Sequence, residues 1–561
     1  MGKLGRRALV LLVAALSMLV IAACGGDDDS GGSTGSSSGG TKEGGSITIS
    51  QTSQPDYLDP ALSYTVNGWE PLSTVYSGLL GYKRAEGQEG SELIPVLATD
   101  MPKVSSDGTT YELTLRKGLK YSDGTPVKAS DFERSIQRVL NLESGGSAFF
   151  LGIKGAEDYV KNGKAEADIP GIETDDATGK VTITLNGPDG TFSNVLAMPF
   201  ADLVPGDTPF KNLTKDPPPG VGQYKITQSV PNRQFVMEKN ANWPSDIPDD
   251  PPAKIDKITT LIVKNAQKQA QDVISGELDY MQDPPPADIK PEVKAKYSDR
   301  YKEETTASTY YMFMNTRVPP FDDPKVREAV NWGIDKPGLA RLFAGEVTPG
   351  CSFLPPGMPG YDENLDVAGC PFGDPNKPPD LEKARQMIKD AGVDGMDVTV
   401  YGNNDDPTDK VTEAYADMLN KMGFNAKPKI LDGGVYFQTI GNQKTKAQTG
   451  FANWFQDFPH PKNFMFLVDG ASIQNTNNQN FGNVDDPEIT KGIAELNKEP
   501  EITDDVANKW KDLNNKLVER AWIVPYGHRK LSTFFSERMD FDNCSNFSPV
   551  WNNDYTSWCL K

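Results

Sequence analysis

The chain has 561 residues, enough for several cores at about 150 residues per domain. Its 78 acidic and 57 basic residues give a formal net charge of −21, which favours solubility and argues against a nucleic-acid partner. No basic patch with interleaved aromatics occurs along it.

Lys3, Arg6 and Arg7 open the chain, and Ala8 to Ala23 is apolar apart from Ser17. A charged start, a short apolar run and small residues at its end read as an export leader over 1–23. The run is shorter than the roughly 20 residues that comfortably span a bilayer. Ile21-Ala22-Ala23-Cys24 resembles a bacterial lipobox, which makes Cys24 the expected lipidation site and mature N-terminus. The alternative is a plain secretory signal with a chance Cys. Loss of the leader would move the charge from −21 to about −24. Asp27-Asp28-Asp29 and a Gly/Ser/Thr tract follow, so 24–45 reads as a flexible tether. One acyl chain anchors marginally, so two or more are expected. No later segment is long and apolar enough to span, and the remainder reads as a soluble body outside the cytoplasm, held to the membrane through Cys24.

Tyr111, Leu113 and Leu115 alternate as a half-buried strand, and Ser122-Asp-Gly124 is turn chemistry. Ser130-Asp-Phe-Glu133 fits a capping box ahead of the stripe Phe132, Ile136, Val139 and Leu140. Between 205 and 255, proline-rich turns surround Gln223–Ile226 and Gln234–Glu238, two segments expected to pair as strands. Ile258 to Val263 is a β-branched run. Asn265 is a candidate N-cap for a helix carrying Ala266, Ala270, Val273 and Ile274, with Gly276 its stop and Leu278–Met281 the next strand. Asp323-Pro324 starts another helix through Val326, Val330 and Ile334, which Pro337 breaks and restarts towards Gly345. Arg327 on it is expected to pair with an acid. A helix from Asp380 to Ala391 ends at Gly392.

A second strand–helix–strand unit follows. Met396, Val398 and Val400 alternate, then Val411, Tyr415, Met418, Leu419 and Met422 mark one helix face before Gly423. Phe424 to Leu431 returns as a strand. Such units imply parallel pairing with a right-handed crossover. Ligands of open α/β sheets bind outside the carboxyl ends of the strands, which makes Asn403 and Asn404 candidate contacts. No internal repeat is present.

Beyond Cys24, four cysteines remain, at 351, 370, 544 and 559. They allow three pairings, of which proximity favours Cys351–Cys370 with Cys544–Cys559. Each such loop would contribute roughly 3 kcal/mol, and an extracytoplasmic location permits the bonds. The alternatives are free thiols or a metal site, although the spacings match no common zinc pattern. The two histidines, His460 and His528, stand in no His-Glu-x-x-His arrangement, and no Walker A loop, nucleophile elbow or calcium loop occurs. Paired carboxylates are too abundant in an acidic chain to signal glycosidase chemistry. No cofactor or metal is expected.

Several blocks then resemble one family in order. They are Leu58-Asp-Pro60 with Tyr76–Leu80, Tyr111–Pro126 with Ala129–Phe132, and Gly222–Tyr224 leading to Lys239-Asn240. Next come Ile274–Asp279, Met314-Asn315 with Pro320-Phe321, Val326–Val330 with Ile334–Lys336, and Trp454-Phe-Gln-Asp457 with Pro459 and Pro461. Their order from about residue 47 to the C-terminus resembles the family-5 solute-binding proteins of bacterial ABC importers, which take up oligopeptides, dipeptides, nickel chelates and some sugars. Each block also has a plain scaffold reading.

The resemblance implies an α/β, periplasmic-binding-protein type II-like two-lobed fold with an extra domain inserted in lobe I. Lobe I would be 46–82, 205–268 and 505–561, the insert 83–204, and lobe II 269–504, with hinges at the two crossings. It implies a monomer that binds a small-molecule or peptide ligand, hands it to ABC transporter permease subunits and does no chemistry. Peptide-binding relatives use the Asp of Trp-x-x-Asp for the peptide α-amino group, which implies Asp457 as an ammonium anchor. The plain reading of Asp457 is a turn beside Pro459. Trp454, Phe455 and Phe458 are candidate apolar walls, and Tyr64, Asn67 and Trp69 candidates for the opposite wall. Two other functions stay open: a secreted hydrolase on a two-lobed scaffold, and a non-transport receptor of the same fold.

Overall fold

The strand Ser46–Gln51 runs between two parallel neighbours, Lys257–Ile262 and Tyr280–Met281, and these three strands begin the fold. The computed structural model describes residues 43–162, 167–405, 407–476, 478–499 and 501–561. The leader, Cys24 and almost all of the tether lie outside the described residues. The strand–helix–strand unit expected at 258–281 forms, with Ser46–Gln51 inserted between its two strands. Asn265 caps its helix by accepting from the Lys268 N–H at 2.9 Å. Gly276 ends that helix at φ 82°, a left-handed conformation that costs glycine nothing.

These strands belong to a 12-stranded mixed sheet. On one side, Lys257–Ile262 continues antiparallel into Gln234–Lys239 and then Tyr224–Val230, the expected strand pair. On the other side, Tyr280–Met281 meets the long strand Ile523–Phe535. That strand passes through both halves of the sheet. Its C-terminal half pairs with Tyr301–Thr305, and its N-terminal half pairs with Ser308–Met314. Beyond Ser308–Met314 lie Thr449–Phe455, Asp397–Asn403 and Asn425–Leu431, the last two parallel as the second unit requires. Three cores follow this plan. One gathers Ile47, Ile49, Tyr224 and Trp558, and a second gathers Met312, Val400, Leu419 and Val524. The third lies under a separate four-stranded antiparallel sheet over 103–184, where Leu113 and Ile183 face Phe132, Ile136 and Val139 of the helix Ser130–Asn141. Fully burying one such side chain contributes about 1.5–3 kcal/mol.

A buried pair ties the third core to the start of the chain. Arg138 donates to Asp59 with both terminal nitrogens, at 3.0 and 2.8 Å, and both side chains are fully buried. The capping box at Ser130 does not form. Ser130 Oγ donates to Asp176 at 3.0 Å, and Glu133 accepts from the Ile169 N–H at 2.6 Å, so long-range partners take both side chains. Arg327 pairs with no acid among the described residues either. It donates to the carbonyls of Ala521 and Phe321 and stacks on Trp522 at 4.3 Å. Both local disulfides are present, Cys351–Cys370 and Cys544–Cys559. No helix among the described residues is long and apolar enough to cross a membrane.

Candidate functional site

Three bodies of structure enclose one large cavity of about 1460 Å³. They are the segment after Ser63, residues 140–195, expected above to belong to an insert, and the loop and helix ends that follow Thr449–Phe455. The volume exceeds the roughly 300–1,000 Å³ of sites for drug-sized ligands.

Asp457 lies in its wall, only 5% exposed. The loop that carries it leaves the sheet at Phe455 and is held by Asn463, whose side chain works in both directions. Asn463 Oδ1 accepts from the Asp457 N–H at 2.8 Å and from Trp454 Nε1 at 3.1 Å, while its Nδ2 donates to Asp457 Oδ2 at 2.8 Å. Tyr64 Oη, from the opposite wall, donates to the same Oδ2 at 3.1 Å. Both bonds thus go to one oxygen, and Oδ1 has no donor among the described residues. Burial pushes the Asp457 carboxyl up to about 7, against the opposing hydrogen bonds from Asn463 and Tyr64. Among the described residues no cation is paired with it. A hydrogen bond from a charged donor to such a carboxylate is stronger than one from a neutral donor.

Tyr64 is positioned by Asp56, which accepts its N–H at 2.6 Å, and by stacking on Trp69 at 5.5 Å. Trp69 donates to the Ser63 carbonyl at 2.7 Å. Trp454 packs edge-on against Phe466 at 5.2 Å, and Phe455 against Tyr310 at 6.1 Å; both line the cavity, as does Phe458. The other sequence candidates lie elsewhere. Asn67 donates to Ser53 Oγ at 3.0 Å and is absent from the lining. Asn403 donates to Asp405 at 2.7 Å, and Asn404 accepts from the Gly433 N–H at 3.0 Å, both away from the cavity.

Sequence reasoning missed three features of the site. Glu70 lines the cavity and accepts from the Asn553 N–H at 2.9 Å and from Gln282; its burial raises it to about 7. Lys462 Nζ donates to both oxygens of Asp189 at 3.0 Å and to Thr191 at 3.2 Å, joining the loop after Asp457 to the insert. Beside this pair, the Gly190 N–H donates to the Asn497 carbonyl at 2.9 Å. A Cβ at Gly190 would stand 2.2 Å from the Glu499 carbonyl, so this approach requires glycine. A Gly-Pro-Asp-Gly turn was the only local signal for it.

The two histidines serve the scaffold. His460 Nδ1 accepts from the Lys462 N–H at 3.1 Å, and burial lowers its ring to about 3, a neutral acceptor. His528, on the long strand, bonds the Ser308 carbonyl at 2.9 Å and Asp366 at 3.1 Å. Asp540, Cys544 and Cys559 cluster within metal-binding reach, but both thiols are used by the disulfide.

Comparison with known proteins agrees with this architecture. The pattern of the bacterial extracellular solute-binding proteins, family 5, middle part, matches residues 92–476. The dipeptide-binding protein DppE of Bacillus subtilis (strain 168) is 26% identical over 435 residues, 74% of this chain and 75% of its own. The oligopeptide-binding protein OppA of the same organism is 26% identical over 480 residues, 82% of this chain and 83% of its own. Among solved structures, the clavulanic acid biosynthesis oligopeptide binding protein 2 superposes with a TM-score of 0.84 at 25% identity, covering 92% of this chain and 96% of that one.

Proposed function

Because the chain belongs to the bacterial extracellular solute-binding proteins of family 5, we propose that it captures an oligopeptide in the cavity around Asp457 and delivers it to the permease subunits of an ABC importer. It is a binding protein of the extracytoplasmic space, not an enzyme. The observation that carries the peptide reading is the buried Asp457 carboxylate, walled by Tyr64, Trp454 and Asn463, with one oxygen turned to no donor of the described protein. A peptide α-ammonium supplies both the missing donor and the missing charge. The cavity volume of about 1460 Å³ favours a chain longer than a dipeptide.

The sheet supports a motion of two lobes. We place the hinge where the two halves share the strand Ile523–Phe535, at His528–Arg529 within it and at Thr306–Ala307, the link between its partner strands Tyr301–Thr305 and Ser308–Met314. Both positions lie C-terminal to the crossings expected at 268/269 and 504/505; on the first, Tyr280–Met281 still pairs with Ser46–Gln51. Contacts that join the two walls are Tyr64–Asp457, Lys462–Asp189 and Gln456 Nε2 to the Pro549 carbonyl at 2.6 Å. A ligand drives closure only through contacts that the closed state makes better. Lipidation of Cys24, with 24–45 as a leash, would hold the body near its permease as a monomer.

The test is small-angle scattering with and without an apolar tetrapeptide, with mass spectrometry of the peptide after release. Compaction and recovery of unchanged peptide are expected. Tight binding without compaction removes the lobe motion, and a cleaved cargo removes the receptor reading.

A further inference from the structure

The cavity is richer in half-exposed apolar groups than in charge. Phe149 and Leu151 reach it from the insert, and Phe437 and Phe466 from the opposite side, all partly open to water. Val160 joins them at 46% exposure. Apolar surface left open in a concave site gains most from a ligand that covers it with apolar surface of its own.

The charges in the lining set a second condition. Among the described residues, the cations of the lining are Lys462 and Lys498. Lys462 is already held by Asp189 and Thr191. Lys498 is exposed and makes no ion pair among the described residues, so it is available to one ligand carboxylate. The anions Glu70, Glu143 and Asp457 face the same space, and none is paired with a cation among the described residues. With Asp457 taken by the ligand's ammonium, a second ligand carboxylate would find no partner there and two repelling neighbours, Glu70 and Glu143.

We infer that the cavity selects oligopeptides with branched aliphatic or aromatic side chains and a single carboxylate, and rejects acidic peptides. This rests on the peptide reading above and adds the class of side chain. The ammonium meets Asp457, the side chains cover the walls formed by Phe149, Val160 and Phe437, and the terminal carboxylate lies towards Lys498.

Calorimetry on the full chain tests it with tetra-alanine, a tetrapeptide of Ala, Leu and Phe, a tetrapeptide with two Glu, and glutathione. The Leu/Phe peptide is expected to bind at least roughly tenfold tighter than tetra-alanine, the gain from burying one large apolar side chain. The Glu peptide and glutathione are expected to bind at least about tenfold more weakly than tetra-alanine. If tetra-alanine binds and the acidic ligands match or beat it, or Leu and Phe add nothing, the side-chain assignment is overturned while the peptide reading stands. If none of the four binds, both fall. Val160→Lys, an exposed substitution that leaves the core intact, is expected to raise affinity for the Glu peptide a few-fold, the worth of one exposed ion pair. Equal affinity of both forms for that peptide overturns the placement of side chains against this wall.

Discussion

Replacing Asp457 with Asn keeps the size of the side chain and removes its charge. The remaining oxygen still accepts from Tyr64 and Asn463, so the loop keeps its anchors. The new amide, however, presents N–H groups to the cavity where an ammonium is to be received. Removing one partner of a buried charge pair costs about 3–5 kcal/mol, which is roughly 10² to 10³ or more in Kd. The empty protein responds in the opposite sense. Burial raises the Asp457 carboxyl from 3.8 to about 7, so the folded chain holds that proton longer than the unfolded chain does. Stability is therefore lost as pH rises from about 4 to about 7, and the full penalty, about 4 kcal/mol, is present above that. Asp457→Asn is expected to raise the Tm of the ligand-free protein at pH 8 by a few degrees, with little change at pH 4. The same variant is expected to lose peptide binding by calorimetry. Wild-type affinity for a peptide should also climb between pH 5 and 7 as the carboxylate ionises, with proton release on binding in that window. Unchanged affinity in the variant, or an equal Tm shift at pH 4 and pH 8, refutes this reasoning.

Further outcomes follow from the contacts around the cavity. Gly190→Ala puts a Cβ 2.2 Å from the Glu499 carbonyl, and relieving that overlap costs about 1–3 kcal/mol of the close approach. Ligand affinity should fall roughly tenfold; wild-type affinity would show that this contact is no part of the bound form. Replacing Cys351 and Cys370 together by Ser opens a loop whose ends are 19 residues apart and should lower stability by about 3 kcal/mol. That loop also carries Asp366, which accepts from the Cys351 and Ser352 N–H groups and bonds His528 on the long strand. Denaturant unfolding of the double variant checks this, and a midpoint equal to wild type would contradict it.

Sequence pattern exposed the fold where local signals agree with tertiary demands. The unit at 396–431 is such a case: alternation, a helical stripe and Gly423 all mark elements that form. Local signals failed where distant partners compete, as when Asp176 takes Ser130 from its capping box. The rule that ligands sit at the carboxyl ends of parallel strands pointed to the edge where the cavity lies, but to a loop that does not line it. Thr449–Phe455 runs parallel to Asp397–Asn403 and in register extends past its end, so Trp454 to Asp457 reach the cavity and Asn403 does not. The walls from the insert were not legible, because Phe149, Asp189 and Gly190 belong to turns with no periodicity. Their roles arise only when the chain brings residues 140–195 against residues 454–498.

The central claim is that Asp457 receives a peptide's amino terminus. Calorimetry with one apolar tetrapeptide and its N-acetyl form tests it most directly. The free amine is expected to bind tightly, and acetylation to weaken binding about a hundredfold or more. Equal affinity for the two forms would contradict it.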